Sequence, residues 1–229
     1  MLREIVMDTE TTGLDPNTGD RIVEIGGVEL LNHLPTGKTY HQYINPERDM
    51  PQEAFDVHGL SIDFLKDKPV FADIAQEFLD FVGDAKLVIH NAAFDMKFLN
   101  AELGWVNKTQ LPYSQAVDTL DMARRKFPGA QNSLDALCRR FGITTERELH
   151  GALLDSEILA EVYLELIGGR QPDFALGVVG GTKTKVAHAE NNWRPTERPK
   201  KLPPRITEAE KENHKKFIET LGPDALWLN

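Results

Sequence analysis

The spacing of apolar positions in the first part of the chain predicts a sheet that begins at the N-terminus. An apolar run that ends at Asp8 is typical of a first strand, and residues 22–31 and 39–44 predict two more strands of an antiparallel meander. A short apolar run, residues 86–90, predicts a fourth, buried strand.

Helical spacing dominates the remainder of the first 169 residues. The predicted helices cover residues 74–82 before Gly83, a segment after Asn91 that runs through Leu103, residues 119–126, residues 133–141, and about 153–167. Strands first and β/α alternation afterwards indicate an α/β fold, with a mixed sheet flanked by helices.

The pattern also divides the chain into three parts. Gly168 and Gly169 end the predicted domain, 1–169, and residues 170–205 form a polar, glycine- and proline-containing linker, expected to be flexible. Residues 206–229 form a short tail in which Thr207 and Glu210 have capping-box spacing. The apolar end of the tail fits a docking peptide, although a tail that folds back on its own domain is the alternative.

Composition excludes several classes of protein. A hydrophobic content of 41% and a charged content of 27% are globular values, and no apolar run approaches the ~20 residues that span a membrane. Cys138 is the single cysteine, which excludes an internal disulfide and fits a cytoplasmic protein, as does a charged N-terminus unlike a signal peptide. The formal net charge of −10 disfavours extensive unaided contact with a polyanion.

Asp8 and Glu10 are the first candidate functional residues. Positions two apart on a strand face the same way, so both carboxylates converge while Thr9 points away. Such a pair suits Mg²⁺ or Mn²⁺, which prefer oxygen ligands, although a lone Asp-x-Glu is more often a solvent-facing strand end. The following Thr11, Thr12 and Gly13 predict a tight turn with accessible backbone N–H groups.

Two later motifs add to this pair. Asp95 lies in the first turn of a helix that follows a buried strand, and Asp155 lies early in the last long helix. His150 precedes Asp155 by five residues, so it could reach the same site and titrate near neutrality. The helix dipole alone would explain Asp95, and a surface loop alone would explain His150. Together, four carboxylates and a histidine are the residues that a two-metal phosphoryl hydrolase needs.

These three motifs, in this order and spacing, resemble those of the DEDDh exonucleases. Residues 51–59 and 132–138 and the tail are most similar to the proofreading subunits of bacterial DNA polymerase III. The resemblance is dense over residues 3–169 and patchy over 206–228.

The resemblance implies a ribonuclease H-like fold and two divalent ions, Mg²⁺ or Mn²⁺. Asp8, Glu10 and Asp155 would ligate one ion, Asp8 would bridge to the second, and Asp95 would hold that second ion through water. His150 would be the general base that activates water, and a nucleoside 5′-monophosphate would leave the 3′ end of DNA.

Substrate contacts are also implied by the resemblance. Glu53 and His58, which the bare sequence would place on a helix surface, would contact the terminal nucleotide. The backbone near Thr11 and Thr12 would join them, together with the metal ligands Asp8, Glu10 and Asp155.

Partner contacts are implied outside the nuclease domain. Residues 171–176 resemble a hexapeptide that binds the sliding clamp, through Gln171, Phe174 and Leu176, although Leu176 stands where an aromatic residue is common. His214, Leu226 and Trp227 resemble a tail that binds the polymerase α subunit, and a small third core subunit is a further expected partner.

Three other interpretations remain open on the sequence. The chain could be a stand-alone nuclease of the same chemistry that trims RNA or short oligonucleotides, or a catalytically idle tether between polymerase and clamp. It could also be an unrelated metal-binding α/β protein. The docking-like tail disfavours the first, and the retention of all five active-site residues disfavours the second.

Overall fold

The computed structural model describes residues 2–144, 149–168 and 206–220, which belong to two separate units. The larger unit, Met1–Leu176, contains a five-stranded sheet and seven α-helices among its described residues. The smaller unit, Gly177–Asn229, contains one helix in its described part.

The sheet is mixed, as the sequence predicts. Its strands are β1 (Arg3–Thr11), β2 (Ile22–Leu31), β3 (Leu34–Tyr43), β4 (Lys86–Ile89) and β5 (Ala116–Asp118), in the order β3-β2-β1-β4-β5. β1 pairs antiparallel with β2 and β2 pairs antiparallel with β3, whereas β1–β4 and β4–β5 are parallel. The carboxyl ends of β1, β4 and β5 therefore lie at one edge of the sheet.

The helices of the larger unit follow the predicted spacing in most cases. They are α1 (Gln52–His58), α2 (Ile62–Leu65), α3 (Phe71–Val82), α4 (Ala92–Trp105), α5 (Thr119–Lys126), α6 (Leu134–Phe141) and α7 (Ala152–Leu166). Ser133 caps α6, because its side chain accepts a hydrogen bond from the Ala136 amide.

Two hydrophobic cores cover the sheet, and the alternation of β1 divides its side chains between them. Ile5 and Met7 belong to the core that includes α3 and α4, whereas Val6 belongs to the core that includes α6 and α7. Both faces of β1 are therefore buried, which explains the continuous apolar run in the sequence.

Two strands differ from the prediction. β3 begins at Leu34 rather than Thr39, because Asn32 and His33, with φ of 50° and 68°, form a two-residue hairpin turn directly after β2. β5 was not predicted, because three half-buried residues (Ala116–Asp118) give no clear apolar pattern.

The helix of the smaller unit, α8 (Glu208–Thr220), begins at the predicted capping box. The Glu210 amide donates to Thr207 Oγ1 at 3.3 Å, and the Thr207 amide donates to Glu210 Oε2 at 2.7 Å. The predicted linker, 170–205, and the residues after Thr220 lie outside the described residues. Within the described part of the chain, every helix is too short or too polar to cross a bilayer.

Candidate active site

The carboxyl end of β1 carries Asp8 and Glu10 on one face of the sheet. Asp8 is half-buried and Glu10 is buried, and the pairing with β2 shifts register between Glu10 and Thr11. Such irregularities bend a strand and redirect its side chains. Directly afterwards, the Thr12 amide donates to the Arg21 carbonyl at 2.9 Å, which fixes the turn beside the carboxylates.

Gly26 determines how closely the last helix approaches this pair. It lies opposite Asp8 in the β1–β2 pairing, and a Cβ built there would fall 2.2 Å from the backbone of Ala152 in the first turn of α7. Ser156 Oγ also donates to the Gly26 carbonyl at 3.1 Å. Because α7 rests directly on β2 at this point, Asp155 reaches the face that carries Glu10.

Glu10, His150 and Asp155 converge at this place. Each offers one ligand atom, and the three atoms lie within 4.8 Å of one another. His150 Nδ1 lies 3.0 Å from Asp155 Oδ2, with the imidazole side chain 47% exposed and the carboxylate 4% exposed. Two carboxylates and an imidazole at this separation could hold a divalent cation.

The backbone of the His150 segment is attached to α1. The His150 amide donates to the Val57 carbonyl at 3.1 Å. The neighbouring Leu149 side chain lies against Gly59, where an added Cβ would fall 2.6 Å from Leu149 Cδ1. Since His150 itself is half-exposed, these contacts hold its backbone, and the contact of Nδ1 with Asp155 orients its ring.

Asp95 approaches β1 from the other core. It lies in the first turn of α4, is 3% exposed, and its Oδ1 accepts a hydrogen bond of 2.7 Å from Thr9 Oγ1. Burial raises the pKa of Asp95 to about 7, and the hydrogen bond from Thr9 acts in the opposite direction. A buried carboxyl group with a raised pKa fits a position where a cation would compensate its charge.

Thr9 and Asp118 are two positioning residues that sequence analysis missed. Thr9 was predicted only to point away from Asp8 and Glu10, but its Oγ1 donates to Asp95 Oδ1. The Asp118 carboxylate accepts from the Asn91 amide at 3.2 Å and the Ala92 amide at 3.1 Å, and so anchors the start of α4. Its position directly before a helix was the available signal, because Asp is a common N-cap residue.

The prediction from the bare sequence that His58 lies on a helix surface is wrong. His58 is 5% exposed at the end of α1, whereas Glu53 is exposed as predicted. Its Nδ1 accepts from the Leu60 amide at 3.0 Å. Burial lowers the pKa of His58, and a hydrogen bond with the backbone of Thr11 acts in the opposite direction.

One of the predicted partner contacts belongs to the described residues. His214 is exposed on α8, in the smaller unit. The other predicted contacts, namely Gln171, Phe174, Leu176, Leu226 and Trp227, lie outside the described residues.

Comparison with known proteins places this site in a family. The sequence model of the family described as Exonuclease matches residues 5–163. The chain belongs to this exonuclease family. The exonuclease is 50% identical to the DNA polymerase III subunit epsilon of Rickettsia felis, over 96% of this chain and 97% of that protein. It is 47% identical to the DNA polymerase III subunit epsilon of Escherichia coli, over 82% of this chain and 80% of that protein.

Solved structures agree with this assignment. The exonuclease matches Exonuclease X in complex with 5′ overhanging duplex DNA with a TM-score of 0.57 and 28% identity, over 73% of this chain and 91% of that one. It matches the nuclease domain of 3′hExo, a DEDDh family member bound to rAMP, with a TM-score of 0.63 and 20% identity, over 72% and 91% of the two chains, which shows the fold alone. The predicted ribonuclease H-like fold and the DEDDh resemblance are confirmed.

Proposed function

We propose that this exonuclease is the 3′→5′ proofreading subunit of a bacterial DNA polymerase III, and that it removes mispaired 3′-terminal nucleotides as 5′-monophosphates. The convergence of Glu10, His150 and Asp155 within 4.8 Å, beside Asp8, carries the proposal. The polymerase III epsilon subunits that align over nearly the whole chain support the biological setting.

Metal dependence is general in this family, and the described residues include one group that could hold a metal ion, Glu10, His150 and Asp155. In our proposal the site takes two ions, Mg²⁺ or Mn²⁺. Asp8, Glu10 and Asp155 would hold one ion, with Asp8 shared, and Asp95 would hold the second. When bound, such ions lower the pKa of water and stabilise charge on phosphate oxygens. The raised pKa of Asp95 supports its role as a ligand of the second ion. Burial makes the charged carboxylate unfavourable, and a bound cation would offset that cost.

His150 would act as the general base. With Nδ1 3.0 Å from Asp155 Oδ2, the proton of the neutral ring is held on Nδ1, and Nε2 can accept the proton of the attacking water. The 47% exposure of the side chain gives water access to the ring.

The terminal nucleotide would bind between the turn after β1 and α1. His58 would contact it with the backbone of Thr11 and Thr12, and Glu53 would approach it from the exposed face of α1. Because burial lowers its pKa, His58 would contribute a neutral ring rather than a cation. A site that accepts an unpaired 3′ end removes mismatches preferentially, because unpairing costs less for a mispaired base.

The first experiment follows 5′-labelled single-stranded DNA with Mg²⁺ or Mn²⁺. The native chain and Asp73→Asn, an exposed control on α3, should both shorten the strand from its 3′ end. Asp8→Ala/Glu10→Ala and EDTA should abolish shortening, and isothermal titration should show that the double variant loses Mn²⁺ binding. Folded native protein that shortens no DNA would favour the tether, and preference for RNA would favour a trimming nuclease.

We further propose that the tail binds the polymerase α subunit in the cytoplasm through His214, Leu226 and Trp227. The sliding clamp would bind Gln171, Phe174 and Leu176, and a small third core subunit would complete the assembly. Alignment over 96% of the chain to an epsilon subunit supports a shared tail. A chain that ends at residue 205 should fail to co-purify with the polymerase subunit while it still degrades single-stranded DNA, and co-purification of this truncated chain would contradict the assignment.

A further inference from the structure

A cavity of about 610 Å³ lies beside the candidate active site, in a part of the nuclease domain to which none of the proposed roles belongs. It lies between α5 and the loop that precedes α6, and its lining includes apolar Leu120, Gly129 and Ala130 and polar His90, Arg124 and Asn132. His90 directly follows β4, so the cavity adjoins the same sheet edge as Asp8 and Glu10. Its lining follows β4 and β5, the first and second strands from β1, so it is displaced from β1 by roughly 5–10 Å across the sheet.

The segment that supplies most of the cavity lining is basic in an acidic chain. Residues 119–142 contain five lysines and arginines and two aspartates, a net charge of +3, whereas the whole chain has a formal net charge of −10. Arg124, in the last turn of α5, lines the cavity, and its contact with Asp121 on the same helix is loose, at 3.9 Å between exposed groups. The Arg124 guanidinium therefore remains available to an anion.

One residue of the cavity lining has a buried hydrogen-bond acceptor that is unsatisfied. Asn132 is nine-tenths buried, and its Nδ2 donates to the Ala130 carbonyl at 3.0 Å and, more weakly, to the Phe127 carbonyl at 3.4 Å. These bonds assign the other atom as Oδ1, which has no hydrogen-bond partner among the described residues. Buried acceptors are normally paired, and this oxygen has almost no exposed surface, so it can accept from a donor in the cavity only if the Asn132 side chain turns.

We propose that this cavity is a second nucleotide subsite, which holds a nucleotide of the substrate strand upstream of the one that is removed. The base packs on the apolar lining, the Asn132 side chain turns so that Oδ1 accepts an amino or imino N–H of the base, and a phosphate contacts Arg124. The location favours the strand itself as the source of this nucleotide, because a 3′ end at Asp8 and Asp95 would continue along the same sheet edge. The inference rests on the proposed exonuclease activity and adds to it where the strand binds.

The test separates this subsite from the terminal site by substrate length. The p-nitrophenyl ester of thymidine 5′-monophosphate occupies the terminal site alone, whereas a ten-nucleotide DNA strand also reaches the cavity. We measure kcat/KM for both and compare Arg124→Gln with Arg125→Gln, which removes the same charge one residue away, outside the lining. Arg124→Gln should lower the preference for the longer strand by about 5–10-fold, of the order expected for one phosphate contact, and Arg125→Gln by less than about 2-fold.

A second variant tests the cavity rather than the charge. Ala130→Phe fills the space from an exposed position on the loop, and it should lower the same preference without lowering the melting temperature. Equal effects of Arg124→Gln and Arg125→Gln, or an unchanged preference in Ala130→Phe, would overturn the subsite. An equal loss of kcat/KM on the ester and on the ten-nucleotide strand would also overturn it. That result would mean that the cavity binds a free nucleotide, which would affect substrates of every length alike. Absence of ester hydrolysis by the native chain would instead contradict the proposed exonuclease activity itself.

Discussion

The Asp95 carboxyl group is buried in the first turn of α4, where burial raises its pKa to about 7. In the unfolded chain the same group has its ordinary pKa of about 3.9. The folded state therefore binds a proton more tightly than the unfolded state. The contribution of this group to stability is greatest below pH ~4 and is lost as the pH rises from ~4 to ~7.

Asp95→Asn should consequently stabilise the metal-free chain while it removes activity. The amide has nearly the same shape and no charge to bury, so at pH 8 in EDTA the melting temperature should rise by several degrees, at about 2–4 °C for each kcal/mol. At pH 5, where native Asp95 is largely protonated, the gain should be smaller. Thermal unfolding at both pH values checks this, with the exposed Asp73→Asn as the control. A gain that does not depend on pH would contradict the assigned burial effect.

Leu149 is half-exposed, yet it stands between the general base and α1. In Leu149→Ala, the contact with Gly59 is lost, and the His150 segment is held mainly by the amide bond to the Val57 carbonyl. We expect kcat to fall by about 10-fold with little change in KM, as for a loss of catalytic geometry alone. The exposed Leu34→Ala, in the β2–β3 hairpin, is the matched control.

The melting temperature distinguishes this role of Leu149 from a general structural one. It should stay within about 2 °C of the native value, because a half-exposed side chain contributes little burial. A rise in KM that accounts for the whole loss in kcat/KM would place Leu149 in substrate binding instead.

Sequence reasoning was sufficient where a short-range rule applies to individual residues. Strand alternation placed Asp8 and Glu10 on one face, and the five-residue spacing placed His150 within reach of Asp155. The contact of Thr9 with Asp95 joins residues 86 positions apart and depends on how α4 packs, which no local pattern encodes. The burial of His58 depends in the same way on tertiary packing.

At the scale of elements, the approach of α7 to β2 positions Asp155. Gly26 permits this approach, because any side chain there would overlap the backbone of the first turn of α7. Gly26→Ala should displace α7 and separate Asp155 from Glu10. We expect a loss of about 2–4 kcal/mol of stability, typical of an overpacked core position, and a fall in kcat of at least about 100-fold.

Gly27 provides the control for this element. A Cβ there would meet the Ile5 and Phe81 side chains at 3.3 and 3.4 Å, rather than backbone at 2.2 Å as at Gly26, so Gly27→Ala should be milder in urea unfolding and in DNA degradation. Equal effects of the two substitutions would show that loss of strand glycines, rather than the contact with α7, is responsible.

The elements were predictable where periodicity and end signals agreed. Gly83 marked the end of α3 and Ser133 the start of α6, and both boundaries are observed. The early start of β3 depends on two non-glycine residues with positive φ, and β5 has three residues, so neither had a distinctive pattern.

At the scale of the whole molecule, charge is distributed unfavourably for a nuclease that works alone. The formal net charge of −10 repels a polyanion, and the net charge of +3 in residues 119–142 offsets this repulsion only locally. Such a chain should bind a single-stranded 3′ end through contacts near the active site and bind duplex DNA weakly. A polymerase that binds the duplex would hold the DNA in place and present the frayed end.

The isolated chain should therefore degrade a long duplex with a mismatched 3′ end slowly. The polymerase subunit should accelerate this degradation by at least about 10-fold at low salt, where electrostatic repulsion between the acidic chain and DNA is strongest. The chain that ends at residue 205 is the matched control, because it keeps the nuclease domain and loses the proposed polymerase-binding tail. It should degrade single-stranded DNA at the native rate and gain nothing from the polymerase. Equal rates on the duplex with and without the polymerase subunit would contradict this prediction. They would mean that the nuclease domain binds duplex DNA without a partner, despite its negative charge.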